Sequence, residues 1–297
     1  MSTSSATTAV AVRPVPASAR RGRVGQEKTN WTVTLLLIVC SLTVLVPLYV
    51  TVSMAFKTTQ QSTDLKAFSL PHPFTTSGFV EAWSLTNYPR AFFVSLVVTV
   101  VSVAGSILLS SMAAYAIVRN WDRKLFRYSF FYLLAAMFIP FPVVALPQVQ
   151  LTGALGLDNY AGVAVLHIVF GLAFNTLLFS TFLRSIPYGL EESMRIDGAS
   201  TSQTFWGLIF PLLSPMAATV GIFAFLGSWN DFMMPSLIIS QPEWQTIPVV
   251  NSIFQTQFSN NYNVSFASYL MAMAPAIIVY LLAQRWVMSG LTQGAIK

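Results

Sequence analysis

The sequence has few of the residues on which soluble enzymes depend. Charged residues make up 9% of the 297, against about 25% in an ordinary soluble domain, while 55% are hydrophobic and the mean hydropathy is +0.64. Cys40 is the only cysteine, which excludes a disulfide or a thiolate metal site within the chain. Two histidines offer too little for a catalytic triad, and the absence of a Gly-Lys dipeptide excludes a Walker A loop. The composition predicts an integral membrane protein that is not itself an enzyme, and if ATP drives it, another chain must bind the nucleotide.

Long apolar runs dominate what is present. Each exceeds or approaches the about 20 residues needed to cross the hydrocarbon core of a bilayer. The first is longer than the about 7–15 apolar residues of a signal peptide, so we interpret it as an uncleaved anchor. It follows a basic tail over 1–30 that lacks apolar periodicity and is predicted to be disordered. We predict an all-α membrane protein with six transmembrane helices over about 32–54, 91–118, 128–148, 161–183, 216–240 and 266–288.

The positions of Lys and Arg predict the orientation of these spans. With the N-terminus in the cytoplasm, six spans return the C-terminus to the same side, and 13 of the 16 basic residues then lie in cytoplasmic segments. The positive-inside rule therefore predicts that both termini and the loop over 184–215 are cytoplasmic. The net charge of +6 is explained by these loops without a nucleic-acid partner.

The stretch Leu190–Pro215 has mixed polarity and separates two strongly apolar runs. Its residues predict a helix, a left-handed cap at Gly198 and a second helix that begins with a capping box at Ser200. Glu191 and Arg195 have the i,i+4 spacing of an intrahelical ion pair, which on an exposed face contributes about 0.2–0.5 kcal/mol. From spacing alone, an ordinary loop between spans is an equal alternative.

This stretch resembles the EAA loop of the membrane subunits of bacterial ABC importers. That pattern is Glu-Ala-Ala, three residues, Gly, nine residues and Ile-x-Leu-Pro, and here Glu192, Gly198 and Pro211 occupy its fixed positions. Four other positions of the pattern are substituted, by Ser193, Met194, Leu208 and Phe210. With the later runs FLGSWNDF and SGLTQGAIK, most of the chain beyond the tail is similar to the smaller permease of the maltose-transporter type.

The resemblance implies the type I ABC importer permease architecture over 31–297, in a bacterial plasma membrane. It implies a permease subunit of an ATP-driven, binding-protein-dependent importer of a sugar or oligosaccharide, which couples ATPase closure to alternating access. The implied partners are a second homologous permease, two ATPase subunits that bind ATP and Mg, an extracytoplasmic sugar-binding protein and membrane lipid, with no cofactor in this chain. The residues implied to couple to the ATPase are Leu190, Glu191, Glu192, Met194, Arg195, Asp197, Gly198, Ala199 and Pro211.

Polar residues inside the predicted fifth span are candidates for a transport path or a partner interface. A carboxylate at the depth of Asp231 costs about 2.5–3.5 kcal/mol on insertion scales, so we expect it to face protein or water. Trp229, Asn230 and Asp231 are therefore candidates for a path or a partner interface, with a structural hydrogen bond as the equal alternative. His167 is interpreted as a packed residue that hydrogen-bonds between helices.

Two further segments are assigned through the resemblance. The polar stretch over 241–265, predicted to lie outside, is implied to touch the binding protein, whereas its composition alone favours a solvated loop. Ser289–Lys297 resembles a C-terminal segment that reaches toward the ATPase dimer, with Gly290 and Gly294 permitting an extended backbone. The candidate contacts with the binding protein are Trp244, Gln255, Gln257 and Asn260.

Two other functions remain open at this point, namely a secondary transporter or channel that is independent of ATP, and a membrane anchor without transport. Ion-coupled transporters often place paired charges in several spans, whereas we expect one intramembrane carboxylate here.

A stripe of small residues at every fourth position also predicts close approach of another helix to the second span. The stripe consists of Ser102, Ser106, Ser110 and Ala114.

Overall fold

The computed structural model of the protein describes residues 30–64, 67–256 and 261–295, with the backbone alone for 255–256 and 285–295. Within these residues every regular element is helical, which confirms the predicted all-α class. In chain order the labelled helices are α1 (Trp31–Ala55), α2 (Tyr88–Arg119), α3 (Lys124–Ala136), α4 (Phe141–Ala154), α5 (Tyr160–Leu183), α6 (Gly189–Ile196), α7 (Thr201–Leu212), α8 (Ser214–Trp229), α9 (Met233–Ile238) and α10 (Tyr262–Ala295). Shorter helical segments are Thr59–Thr63, Ser77–Leu85, Pro242–Trp244, Ile247–Asn251 and Ile253–Thr256.

Four of these helices are long and apolar enough to cross a membrane by themselves, namely α1, α2, α5 and α10. Two further candidates are bent pairs: α3 and α4 meet at 104°, and α7 and α8 meet at 74°. By length and composition, the described residues thus contain four candidate spans, or up to six if each bent pair is one span. The span predicted over 128–148 is broken between Ala136 and Phe141, because Pro140 and Pro142 cannot continue the helical hydrogen-bond ladder.

The chain divides into two units, Met1–Pro47 and Leu48–Lys297. The described part of the first unit is the beginning of α1, whose apolar side chains are almost all exposed. A helix that is apolar on every side is suited to a lipid environment. The predicted disordered tail lies outside the described residues.

The core of the second unit is the contact of α2 with α5, against both of which α8 packs. A Cβ atom added at Gly105 would clash with the end of the Ile168 side chain, so Ile168 of α5 packs directly on the backbone of α2. The predicted small-residue stripe on α2 is buried throughout: Ser102, Ser106, Ser110 and Ala114.

Three predictions for the last third of the chain differ from the structure. The helix predicted to run to residue 240 ends at Trp229, so Asp231 lies in the turn between α8 and α9. The stretch over 241–256 is folded, with Ile247, Asn251 and Phe254 buried, and is not the solvated loop that its amides favoured. The backbone of α10 is helical to Ala295, so Gly290 and Gly294 lie in a helix and not in the extended backbone that they would permit.

Candidate functional site

The helix α6 is defined by the caps that the sequence predicts. Gly198 has a φ of +84° and follows the last turn, where its N–H bonds the Arg195 carbonyl at 3.0 Å. The Ala199 N–H bonds the Met194 carbonyl at 2.9 Å, which completes a Schellman motif. Ser200 then opens α7 with a capping box, since its hydroxyl accepts the Gln203 N–H and the Gln203 side chain accepts the Ser200 N–H. The predicted helix, elbow and second helix are thus confirmed as local structure.

Glu191 anchors α6 to the end of α2. Its side chain is fully buried, and Arg119 Nε donates to Oε1 at 2.6 Å while the Tyr115 hydroxyl donates to Oε2 at 3.0 Å. The Arg119 Nη2 also lies 3.4 Å from the carbonyl oxygen of Ile186, just before α6. Both carboxylate oxygens are therefore occupied by a cation and a hydroxyl of another helix. We call this arrangement of Glu191, Tyr115 and Arg119 the α2–α6 clamp.

The clamp overturns the interpretation of Glu191 as a solvated partner of Arg195. Arg195 is exposed, and its Nη1 donates instead to the Tyr188 hydroxyl at 2.8 Å. Two guanidinium groups lie near the Tyr188 ring, with Arg119 at 5.7 Å and Arg195 at 5.6 Å from its centroid. A buried carboxylate is stable only when it is paired, and α2 supplies the charge that the helix itself does not.

The rest of α6 presents a free surface that is partly apolar. Leu190 is 43% exposed and Ile196 is 85% exposed, although both are large aliphatic residues. Met194 is half-buried, and Glu192 is exposed beside it. The remaining predicted coupling residues follow at the elbow or beyond, where Asp197, Gly198 and Pro211 are exposed and Ala199 is half-buried.

A second group of polar residues lies between α2, α5 and α8. They line a cleft of about 370 Å³ that contains His167 and Asp231, whose Nε2 and Oδ2 atoms are 3.4 Å apart. Asp231 Oδ1 caps α9 by accepting the N–H groups of Met233 and Met234. His167 thus faces a carboxylate that lies 64 residues further along the sequence (167 to 231). We call this cavity the His167–Asp231 cleft.

The three candidates at the end of α8 have separate environments. Trp229 is buried, and its ring N–H donates to the Ala272 carbonyl of α10 at 3.1 Å. The Asn230 side chain is exposed and donates to the Leu226 carbonyl at 3.0 Å. Of the three, only Asp231 lines the cleft.

The candidates for contact with a binding protein are described only in part. Trp244 is half-buried between Tyr160, whose ring centroid is 5.6 Å away, and Arg90, which lies over the indole at 5.3 Å. Gln257, Asn260 and the side chain of Gln255 lie outside the described residues.

Comparison with known proteins identifies the family. The family described as "Binding-protein-dependent transport system inner membrane component" matches residues 106–293, which include α6 and the cleft residues of α5 and α8. The chain belongs to this family. The permease is therefore a multi-pass protein of the bacterial plasma membrane.

Curated relatives cover nearly the whole chain. It is 35% identical over 286 residues to the multiple sugar-binding transport system permease protein MsmG of Streptococcus mutans, which covers 92% of this chain and 99% of that protein. It is 32% identical over 268 residues to the probable starch degradation products transport system permease protein AmyC of Thermoanaerobacterium thermosulfurigenes, with 90% and 97% covered. A chain of the crystal structure of a bacterial ABC transporter involved in the import of the acidic polysaccharide alginate shares the fold, with a TM-score of 0.75, 24% identity, and 86% and 95% covered.

Sequence reasoning missed several residues that shape the permease's two sites. Tyr115 lies in the predicted second span and Arg119 directly follows it, and the exposed Ile196 of α6 is absent from the predicted coupling residues. His167 was interpreted as a packing residue, although its ring lines the cleft.

Proposed function

We propose that the permease is one membrane subunit of an ATP-driven, binding-protein-dependent importer of a sugar or oligosaccharide. A second, homologous permease completes the path, and two ATPase subunits bind ATP and Mg on the cytoplasmic side. An extracytoplasmic sugar-binding protein delivers the substrate. The names of MsmG and AmyC, which refer to sugars and to starch degradation products, support the substrate class.

The observation that carries this proposal is the combination of a fixed and a free face on α6. Glu191 ties the helix to α2 by two short polar contacts, whereas Leu190 and Ile196 are exposed. Exposed apolar patches rimmed by polar residues mark interaction sites. The exposed aliphatic side chains of this acidic helix, outside the membrane, therefore support contact with a protein partner. If a partner binds one side of α6 while the other side is bonded to α2, movement of the partner is transmitted through α6 to α2. We infer that α6 is the coupling helix on which ATPase closure acts to drive alternating access.

The proposed topology has six spans with both termini in the cytoplasm. Each bent pair then counts as one span, and α6 lies on the side richest in Lys and Arg. The positive-inside rule supports this orientation, and it places the free face of α6 where a soluble ATPase can reach it.

The test is co-purification of the tagged full-length permease from its native host, comparing the wild type with Ile196→Glu. Burial of an isoleucine contributes about 1.5–3 kcal/mol, so replacing it by a charge should weaken ATPase binding about ten- to a hundredfold. Ser202→Glu is the matched control, because it adds the same charge at an exposed position in the first turn of α7. We expect an ATPase and a second permease with the wild type and with Ser202→Glu, and loss of the ATPase with Ile196→Glu.

A homo-oligomer without an ATPase would overturn the proposal. So would substrate uptake by proteoliposomes that requires an ion gradient and not ATP, which is the behaviour of a secondary transporter. Import by intact cells of radiolabelled maltose, melibiose, raffinose or diacetylchitobiose tests the substrate class separately.

A further inference from the structure

The His167–Asp231 cleft combines aromatic walls with polar groups that have unused hydrogen-bonding capacity. Phe170, Phe174 and Phe223 line it, and the last two rings meet edge to face with centroids 5.8 Å apart. Clefts with apolar walls and a few convergent polar groups are the usual form of small-molecule sites. Lipid is a poor occupant, because a charged group is costly against hydrocarbon.

Only some of the hydrogen-bonding atoms at the polar end of the cleft have partners. Asp231 uses Oδ1 to cap α9, which leaves Oδ2 facing His167 Nε2 at 3.4 Å. No described residue completes a hydrogen bond with adequate geometry to His167 Nε2, although this atom is buried. A ligand hydroxyl group beside this pair can satisfy both atoms, because it donates to a carboxylate oxygen and accepts from a ring N–H at the same time. The amide of Asn175 and the hydroxyl of Ser106 lie on the same cleft.

We propose that this cleft is a sugar-binding subsite of the permease itself, which holds one sugar unit with its hydroxyls on His167 and Asp231 and its ring against the phenylalanines. The inference rests on the proposed import of sugars and adds to it a substrate contact on this subunit. The volume of about 370 Å³ lies near the lower end of the about 300–1,000 Å³ of ligand pockets, which matches a single unit better than an oligosaccharide. Among the described residues no group of three His, Cys, Asp or Glu could hold a metal ion, so the cleft is not a metal site of that kind.

A single-cysteine experiment tests this occupancy directly. Cys40 is the only native cysteine, so Cys40→Ser gives a background for Ala224→Cys in the cleft. Ala218→Cys is the matched control, since Ala218 is on the same helix, is also half-buried and lines an apolar groove between α2, α8 and α10. The assembled complex in native membrane vesicles is labelled with N-ethylmaleimide in the presence of maltose, melibiose, raffinose, diacetylchitobiose or, as osmotic control, glycine betaine.

At twice its dissociation constant, a sugar that fills the cleft should slow labelling of Ala224→Cys about threefold and leave Ala218→Cys unchanged. Asp231→Asn retains an acceptor for the cap of α9 but removes the charge, and His167→Gln removes the imidazole. Each substitution should raise the half-protecting concentration about tenfold, the effect of one hydrogen bond to a charged group.

Import of the same sugars by intact cells is measured in parallel, and the two results are compared. An imported sugar that fails to protect Ala224→Cys, or protection that both substitutions leave unchanged, would overturn the subsite alone. Protection without import of any sugar would uphold the subsite and overturn the proposed import function. Neither import nor protection would overturn both.

Discussion

Replacing Glu191 by alanine should release α6 from α2. Glu191 is fully buried, and the Arg119 side chain that it pairs with is 11% exposed. The substitution leaves a guanidinium and the Tyr115 hydroxyl without the carboxylate that both contact at 3.0 Å or less. Removing one partner of a buried ion pair costs about 3–5 kcal/mol, because the other charge stays buried and uncompensated.

Hydrogen exchange at the amides of α6 measures this loss locally. A helix of eight residues is too short to be stable by itself, so its amides exchange when it undocks. A loss of about 3–5 kcal/mol raises the opening constant between about a hundredfold and a few thousandfold. Mass spectrometry of peptides that cover Gly189–Ile196 in the purified complex should detect this acceleration in Glu191→Ala.

Ser193→Ala is the control, because Ser193 is exposed on the same helix and is not among the residues implied to couple to the ATPase. A surface substitution stays within about 0.5 kcal/mol, so its effect on exchange should not exceed about threefold. Equal acceleration by the two substitutions would refute the clamp, and so would unchanged exchange in Glu191→Ala. The double substitution of Glu191 and Arg119 by methionine should cost less than the sum of the single ones, because no unpaired charge remains.

Two further predictions concern thermal unfolding of the purified permease complex. Gly198→Ala should lower the free energy of unfolding by about 1–2 kcal/mol through backbone strain alone, since nothing lies within 4 Å of the added Cβ. Gly189→Ala, equally open but without a positive φ, should cause no loss, and equal losses would contradict the strain. Ser110→Leu should cost about 1–3 kcal/mol by overpacking, because Ser110 is fully buried on α2, whereas Val100→Leu on the exposed face of α2 should have little effect. Tolerance of Ser110→Leu would contradict the close packing.

Local sequence patterns predicted the parts of the fold that depend on neighbours in the chain. A Schellman cap needs a residue that accepts positive φ, and Gly198 supplies it. The capping box at Ser200 is a contact over three residues, and the stripe on α2 repeats at every fourth. Apolar runs located the long helices for the same reason, because hydropathy reports burial in lipid or protein residue by residue.

Contacts distant in sequence were beyond these patterns. The spacing of Glu191 and Arg195 predicted an ion pair, yet the partner is Arg119 on another helix. A fully buried carboxylate gains more from a cation that is itself desolvated than from an exposed one four residues away, and only the packing of α6 on α2 decides which is available. The predicted fifth span includes Asp231 because hydropathy averaged over many residues does not resolve a short turn. In the structure Asp231 lies in such a turn, where its carboxylate caps α9.

The helix α2 belongs to both proposed sites. Arg119 ends it in the clamp, and Ser102, which lines the cleft, lies about 25 Å away along the axis at 1.5 Å per residue. Beyond Pro89 in its first turn α2 contains no proline, and α5, which packs along it, contains none, so neither ladder of hydrogen bonds is interrupted. The bends of 104° and 74° fall in the neighbouring pairs, α3 with α4 and α7 with α8. If α6 is the proposed coupling helix, its movement would be passed to α2 through the clamp, and α2 is uninterrupted from Arg119 to the cleft.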